Sequence, residues 1–513
     1  MFRKVIFFIL VSLLIQVRPY SCFAQKITKG PYLADPKKTS MIIRWESDFS
    51  TEWKVDFNSD TSLSRTQKAI LLGEKEGFYL YEAQIKDLKP DTKYFYQVVC
   101  KDKKSTLHHF TTNPREYTPF SFVAMGDSRS NHHIFKAIID QVKNKSPDLI
   151  ISMGDLVENG GKFKQWRTHY FDVASDIIDH IPLISTLGDH EGDGDNGKLF
   201  RYFLYPYLET DKLWFSFDFG KAHFVSLDYR HPDNENMIEW FKEDLAKTDA
   251  KWIFVYTHRP SYNFGGHRSF WGKEKWSELF RKFKVDIVFS GHSHQYERFF
   301  PMRPRSKIDS WPVTYITTGG AGADLYEVIE HPYLAQSKSI HHFIFIKIAN
   351  DTLHFTAYDT VGAILDKCTI IKHKGRYNSE YLNLVIPQEH VDLVRIFTRA
   401  ISPDLNNIPL FSKPSILTLE MKSPSLIDED INFEIVISEE SAKHYRMVPI
   451  NVKGILKKGE SLEIPIKIFT NGEMRISEWG EIEPALRLEV KYKTSIREEK
   501  IISSKIDYWP DVD

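Results

Sequence analysis

Five apolar runs between residues 120 and 291 each end at a short polar corner that carries an Asp or a His. The central one is residues 149–159, LIISMGDLVEN, in which a β-branched run stops at Gly154-Asp155. Such a run reads as a buried strand closed by a tight turn. The turn leaves the carboxylate at the strand's carboxyl end, where α/β sheets place their ligands. A single Gly-Asp after a strand is ordinarily only a turn, so the recurrence is what carries the argument. Residues 120–125 run into Gly126-Asp127, residues 182–187 into Gly188-Asp189-His190-Glu191, residues 252–257 into His258, and residues 285–290 into Gly291-His292-Ser293-His294. Oxygen and imidazole donors of this kind suit divalent or trivalent first-row metals. No cysteine stands among them, which argues against a thiolate zinc site. Helical periodicity in residues 132–144, 163–178, 235–246 and 273–283 alternates with the strands. The expected core is therefore α/β, with two mixed sheets flanked by helices.

The five motifs, in this order, resemble those of the calcineurin-like metallophosphoesterases, most closely the purple acid phosphatase branch. The resemblance implies a binuclear site in which Asp155 bridges two metal ions (Fe, Zn or Mn). Asp127 and His294 would complete one position, and Asp189, His258 and His292 the other. Two cations about 3.5–4 Å apart can clamp the attacking and leaving oxygens of a phosphoryl displacement, with a metal-bound hydroxide as nucleophile. The resemblance further places His190 and His267 at the phosphate, His190 beside a ligand and His267 in a Gly-rich loop, for substrate contact or leaving-group protonation. His132, His133, His341 and His342 have no motif support and read as structural.

The chain departs from the family pattern at three points. The family's tyrosine ligand, three residues after the bridging Asp, is Glu158, so no purple charge-transfer band is expected. Glu158 is either an additional ligand or a residue outside the metals' contact. The usual Asn of the third motif is Asp189, which still ligates but adds negative charge. Asp127 is followed by Ser128-Arg129, and Arg129 either binds substrate phosphate or belongs to a pairing network.

A chain of 513 residues is long enough for two to four domains. Residues 1–24 read as a signal peptide, with Arg3 and Lys4 ahead of an apolar run too short for a confident span. A secreted or periplasmic protein follows, with lipid attachment at Cys22 as second choice and no transmembrane span after cleavage. Removing that segment leaves 65 basic and 69 acidic residues, and no basic block that would suggest nucleic acid. Cys100 and Cys368, each in or beside an apolar strand, read as two free thiols.

Residues 26–114 alternate apolar and polar in short runs and read as a β-sandwich. The segment from Leu88 to Tyr94 resembles a fibronectin type III turn, and Gly30-Pro31-Tyr32-Leu33 resembles the opening of the purple acid phosphatase N-terminal domain. Residues 117–373 form the catalytic domain. Its Thr318-Gly319-Gly320-Ala321-Gly322 turn is expected to pack closely beside the site. Residues 374–413 read as a linker that packs on its neighbours, with a helix over 389–400. Residues 414–513 read as an immunoglobulin-like sandwich whose partner the sequence does not reveal. The leading expectation is an enzyme, a secreted metal-dependent phosphomonoester hydrolase acting on small-molecule phosphate esters. The runner-up is a phosphodiesterase or nucleotidase on the same core, and the rival a binding or adhesion protein without turnover.

Overall fold

The computed structural model describes residues 26–101, 103–204, 212–267, 269, 271–398, 401–403, 415–423, 427–472, 475–476, 482–494 and 498–502. The expected signal segment, with Cys22, lies outside the described residues. No helix among the described residues is long and apolar enough to cross a membrane.

The metal-motif strands fall into two seven-stranded mixed sheets. One is ordered Leu183–Ser185, Leu149–Ser152, Phe120–Met125, His342–Ala349, Thr352–Asp359, Ile364–His373 and Arg376–Tyr377. Its first three strands run parallel and the next pairs antiparallel. The other is ordered Phe215–Phe219, Ala222–Ser226, Trp252–Thr257, Ile287–Ser290, Thr314–Thr318, Tyr296–Phe299 and Leu334–Lys338. The sheets share one core, because Phe122 of the first meets Phe224, Phe254 and Phe289 of the second at ring distances of 5.1–6.3 Å. The ligand-bearing strands are buried on both faces. That explains their unbroken apolar runs, since parallel strands covered on both sides need no polar alternation.

Helices occupy the expected segments. The one over 163–178 is interrupted by a π-helical stretch, Trp166–Phe171, which turns Trp166, Tyr170 and Phe171 into the core. Two sheets, ordered Ile27–Ala34, Met41–Ser47, Phe78–Ile85, Ile70–Lys75 and Arg65–Lys68, Lys54–Asn58, Lys93–Cys100, Lys103–Lys104 (with His108–Thr111 on Lys93–Cys100), build the N-terminal sandwich. The C-terminal sandwich likewise has two four-stranded sheets, including the strands Tyr445–Val448 and Asn451–Leu456, which the alternation alone does not single out. The last described strand, Glu498–Ile502, pairs antiparallel with Leu488–Lys493. Cys100 and Cys368 are free.

The segment expected to link the domains is more integrated than a linker. Arg376–Tyr377 extends the first seven-stranded sheet, so Ile364–His373 is not its edge. The helix Gln388–Thr398 carries Val391, Leu393, Val394, Arg395 and Phe397 at 0–1% exposure. A helix buried all round is a core element rather than a tether.

Candidate metal centre

The motif side chains stand one to four residues past a strand end, and three of them are held there by backbone that few residues tolerate. Asp127, Asp155 and His292 have φ of 61°, 55° and 64°. This left-handed region is sparsely populated outside Gly, Asn, Asp and His, and such strain gathers at functional sites. The corners also approach one another closely. Gly154 has φ 87°, and a Cβ on it would lie 2.5 Å from the Gly188 nitrogen. Only glycine lets the second and third corners meet this closely. Asp127 then accepts the His292 N–H at 3.0 Å, and Asp155 accepts the His190 N–H at 3.0 Å.

Two clusters result, with donor atoms within 4.8 Å of one another in each. Asp127, Asp155 and His294 form the first, and Asp189, His258 and His292 the second. Asp155 also faces the second, with Oδ1 3.5 Å from His258 Nε2. His292 Nδ1 lies 2.7 Å from Asp189 Oδ2, and His294 Nε2 lies 3.5 Å from Asp127 Oδ1. Backbone carbonyls set two of the imidazoles. His258 Nδ1 donates to Met153 O and His294 Nδ1 to Asp324 O, both at 2.7 Å. A carbonyl only accepts, so the proton sits on Nδ1 and the Nε2 lone pair faces the cluster.

The donor chemistry fits a pair of cations. His258 Nε2 is buried without a hydrogen-bond partner, between carboxylates of both clusters. Burial disfavours charge on His258, yet Asp155 and Asp189 outweigh it and raise the imidazole to about 10. That excess of negative charge favours a positive charge at Nε2, which a cation there supplies in place of a proton.

The remaining expected residues are placed as follows. His190 Nδ1 donates to Glu158 O at 2.6 Å, and its Nε2 lies 3.9 Å from Asp155 Oδ2. The His267 ring centroid is 4.3 Å from that of His292. Both histidines therefore reach the cluster. Arg129 is 12% exposed, with Nε 3.4 Å from Asp155 Oδ2 and Nη1 3.1 Å from Glu158 Oε1. Arg129 is thus paired with both carboxylates beside the cluster. Glu158 is not brought into either ligand cluster among the described residues, because Arg129 and the Ser130 hydroxyl (2.7 Å) hold its carboxylate. His342 is structural, bonded to the Thr318 hydroxyl and the Ile340 carbonyl. The glycine turn is packed as expected, since a Cβ on Gly319 would lie 2.9 Å from Asp127 Oδ2.

Three contributors escape the sequence reading. Glu191 is fully buried and accepts the backbone N–H groups of Asp155, Leu156, Val157 and Gly188 at 2.8–3.2 Å. It thereby fixes the corner that presents Asp155. Burial and then the neighbouring Asp155 charge push Glu191 up to about 7. Arg259 Nε sits 2.9 Å from Asp189 Oδ1, with its guanidinium 5.1 Å from the Tyr229 ring centre. It offsets the charge Asp189 adds, and its only sequence signal is its place directly after His258. Tyr326 stacks on His294 at 4.5 Å with planes 9° apart, and no motif announces it.

Residues 120–296 match the calcineurin-like phosphoesterase family, and residues 31–112 match the purple acid phosphatase N-terminal domain. Purple acid phosphatase 15 of Arabidopsis thaliana is 29% identical over 298 residues, covering 49% of this chain and 55% of that protein. A protein of the same plant named probable inactive purple acid phosphatase 1 is 25% identical, covering 50% and 51%. The chain thus spans little more than half the length of these curated relatives. Among solved structures, the purple acid phosphatase from yellow lupin (Lupinus luteus) seeds superposes with a TM-score of 0.59 at 19% identity, covering 69% of this chain and 75% of that one. At that identity the superposition speaks for the fold.

Proposed function

We propose that this chain, which carries a calcineurin-like phosphoesterase domain behind a purple acid phosphatase N-terminal domain, is a secreted two-metal hydrolase of phosphate monoesters. The observation that supports this reading most directly is the pair of three-residue donor clusters joined at Asp155. Asp127, Asp155 and His294 would hold one cation, and Asp189, His258 and His292 the other. When bound, such a pair supplies Lewis-acid charge to phosphoryl oxygens and an activated water at neutral pH. The chain's own residues do the rest. Asp155, a member of the first cluster, also lies 3.5 Å from His258 of the second and so stands between them. Arg129 places a positive charge against Asp155 and Arg259 one against Asp189, which tempers the negative field that an anionic ester meets. His190 carries its Nδ1 proton toward Glu158 O, which leaves Nε2 turned to the cluster for the ester. His267, beside His292, is the second imidazole available to a departing oxygen.

Some similar proteins are named probable inactive. Here all six ligand positions hold competent donors, which supports turnover. Secretion rests on the character of residues 1–24 alone. The test is elemental analysis of the purified protein together with hydrolysis of an aryl phosphomonoester and the matching diester. Two first-row metal ions per chain with monoester cleavage is the expected result. Cleavage of the diester alone would shift the reading to a phosphodiesterase. Absence of metal after reconstitution, with neither ester cleaved, would overturn it.

A further inference from the structure

We infer that the C-terminal module is part of the active-site wall, with Arg395 and Arg487 as positioning residues for the loops that carry His267 and Tyr326. This rests on the phosphoesterase reading for its consequence in catalysis, though not for its structural content.

Two loops lie against donor histidines, one bringing His267 beside His292 and the other Tyr326 onto His294. The first carries Tyr262, the Gly265-Gly266 pair and His267. The second runs from Asp324 to Glu327. They are tied to each other, since the Gly266 N–H donates to Glu327 O at 3.1 Å. They are also in van der Waals contact, because a Cβ on Gly265 would lie 2.7 Å from that same oxygen. Both are tied to ligands. Asp324 O holds His294 Nδ1, and the Tyr326 N–H donates to His294 O at 3.0 Å. The His267 N–H donates to the hydroxyl of Ser293, between the two histidines of the last motif, at 3.0 Å.

The outer side of each loop is gripped from beyond the catalytic domain. Arg395, on the buried helix Gln388–Thr398, donates Nη2 to Ser269 O at 2.7 Å and lays its guanidinium 5.4 Å from the Tyr262 ring centre. It is 0% exposed, so the ion sits in a built socket rather than on a surface. The same helix is seated on the sandwich, with Phe397 stacked on Tyr492 at 4.7 Å and near Phe433 at 6.1 Å. From the sandwich itself, Arg487 pairs with the Glu327 carboxylate. One residue thus joins the sandwich by its side chain and the His267 loop by its carbonyl.

A loop held only by its own residues samples several conformers, and ordering it on binding weakens apparent affinity. Two cationic anchors outside the catalytic domain reduce that cost. The expected signature of losing one is poorer substrate binding with intact metal and intact chemistry once bound.

The experiment compares full-length wild type with Arg487→Ala and Arg487→Lys, using hydrogen–deuterium exchange, metal analysis and steady-state kinetics on an aryl phosphomonoester. Arg487 is the better first target, because its pair is partly exposed and its loss leaves the buried helix intact. In Arg487→Ala, exchange should rise about threefold or more in residues 262–267 and 323–329 and stay unchanged in the two seven-stranded sheets. KM should rise about threefold, with kcat within twofold of wild type and metal content unchanged. Arg487→Lys should restore most of both. Unchanged exchange in both loops, or a rise spread evenly over the whole chain, overturns the inference. If wild type cleaves no ester, the phosphoesterase reading fails while the exchange comparison still decides the clamp.

Discussion

The N-terminal sandwich meets the two-sheet domain at its supporting helices, whereas the C-terminal sandwich meets it through the buried helix Gln388–Thr398 and a pair at the rim. At the first interface Lys29 and Glu46 are a 2%- and 0%-exposed ion pair, with the ammonium 4.1 Å and 5.0 Å from the Phe163 and Phe203 rings. Phe203 O accepts from Tyr32 at 2.7 Å and from Arg44 at 3.3 Å. Asp179 accepts from Tyr96 on its carbonyl at 2.6 Å and pairs with His108 on its carboxylate at 2.8 Å. Directional contacts of this kind fix one orientation and are costly to break, since each partner is left desolvated. They meet residues 163–179 and 203, which support the domain, rather than the ligand-bearing corners. At the second interface Phe397 packs on Phe433 and Tyr492, and the Arg395 and Arg487 contacts reach the site loops. The two modules share an architecture and differ in what they act on, the first on the body of the domain and the second on its mouth.

The largest effect should come from Glu46→Ala. It strands the Lys29 ammonium in the interface and should lower unfolding free energy by about 3–5 kcal/mol, measured by denaturant titration, with KM unchanged. A shift in KM without loss of stability would break the comparison. Phe397→Ala should cost about 3 kcal/mol through the cavity it opens. Unlike the first variant, it should also raise KM and speed exchange in residues 262–267. Acid should then separate the interfaces. Burial works against charge on Asp179, but hydrogen bonds from His108 and His180 win and hold its carboxyl well below the usual carboxylate range. A depressed pKa gives stability that is fully present above the unfolded value of about 3.9 and lost as pH falls below it. Asp179→Asn should accordingly flatten the acid limb of the stability profile by about 1–2 kcal/mol, and an unaltered limb would remove Asp179 from the interface argument. The smallest effect is Tyr96→Phe, which deletes one hydrogen bond and should cost about 1 kcal/mol, read as a shift in Tm with unchanged kinetics.

The metal corners were legible in the sequence because a strand end and its first turn are local. Gly154-Asp155 and Gly291-His292 announce both the geometry and the donor within a few residues. The sandwiches were legible from alternation, and the two catalytic sheets from buried runs. What escaped depends on partners far along the chain. Arg259 meets Asp189 across 70 positions, and Arg487 meets Glu327 across 160. No local spacing encodes such pairs. Glu158 shows the converse. Its position suggested a ligand, but Arg129, 29 residues earlier, claims its carboxylate. The helix Gln388–Thr398 was expected near its observed bounds, yet its burial on every side follows from where the sandwich lands, which periodicity does not report.

The left-handed backbone at Asp127, Asp155 and His292 also constrains how this site can change over generations. Most single-base changes at these codons introduce side chains that the conformation penalises by about 1 kcal/mol or more before any loss of donor is counted. Glycine, asparagine and an exchange between aspartate and histidine are the replacements the backbone accepts, and of these asparagine keeps the aspartate's shape. A lineage that gives up the reaction is therefore channelled toward Asp→Asn at two of six donor positions, keeping its shape while losing charge.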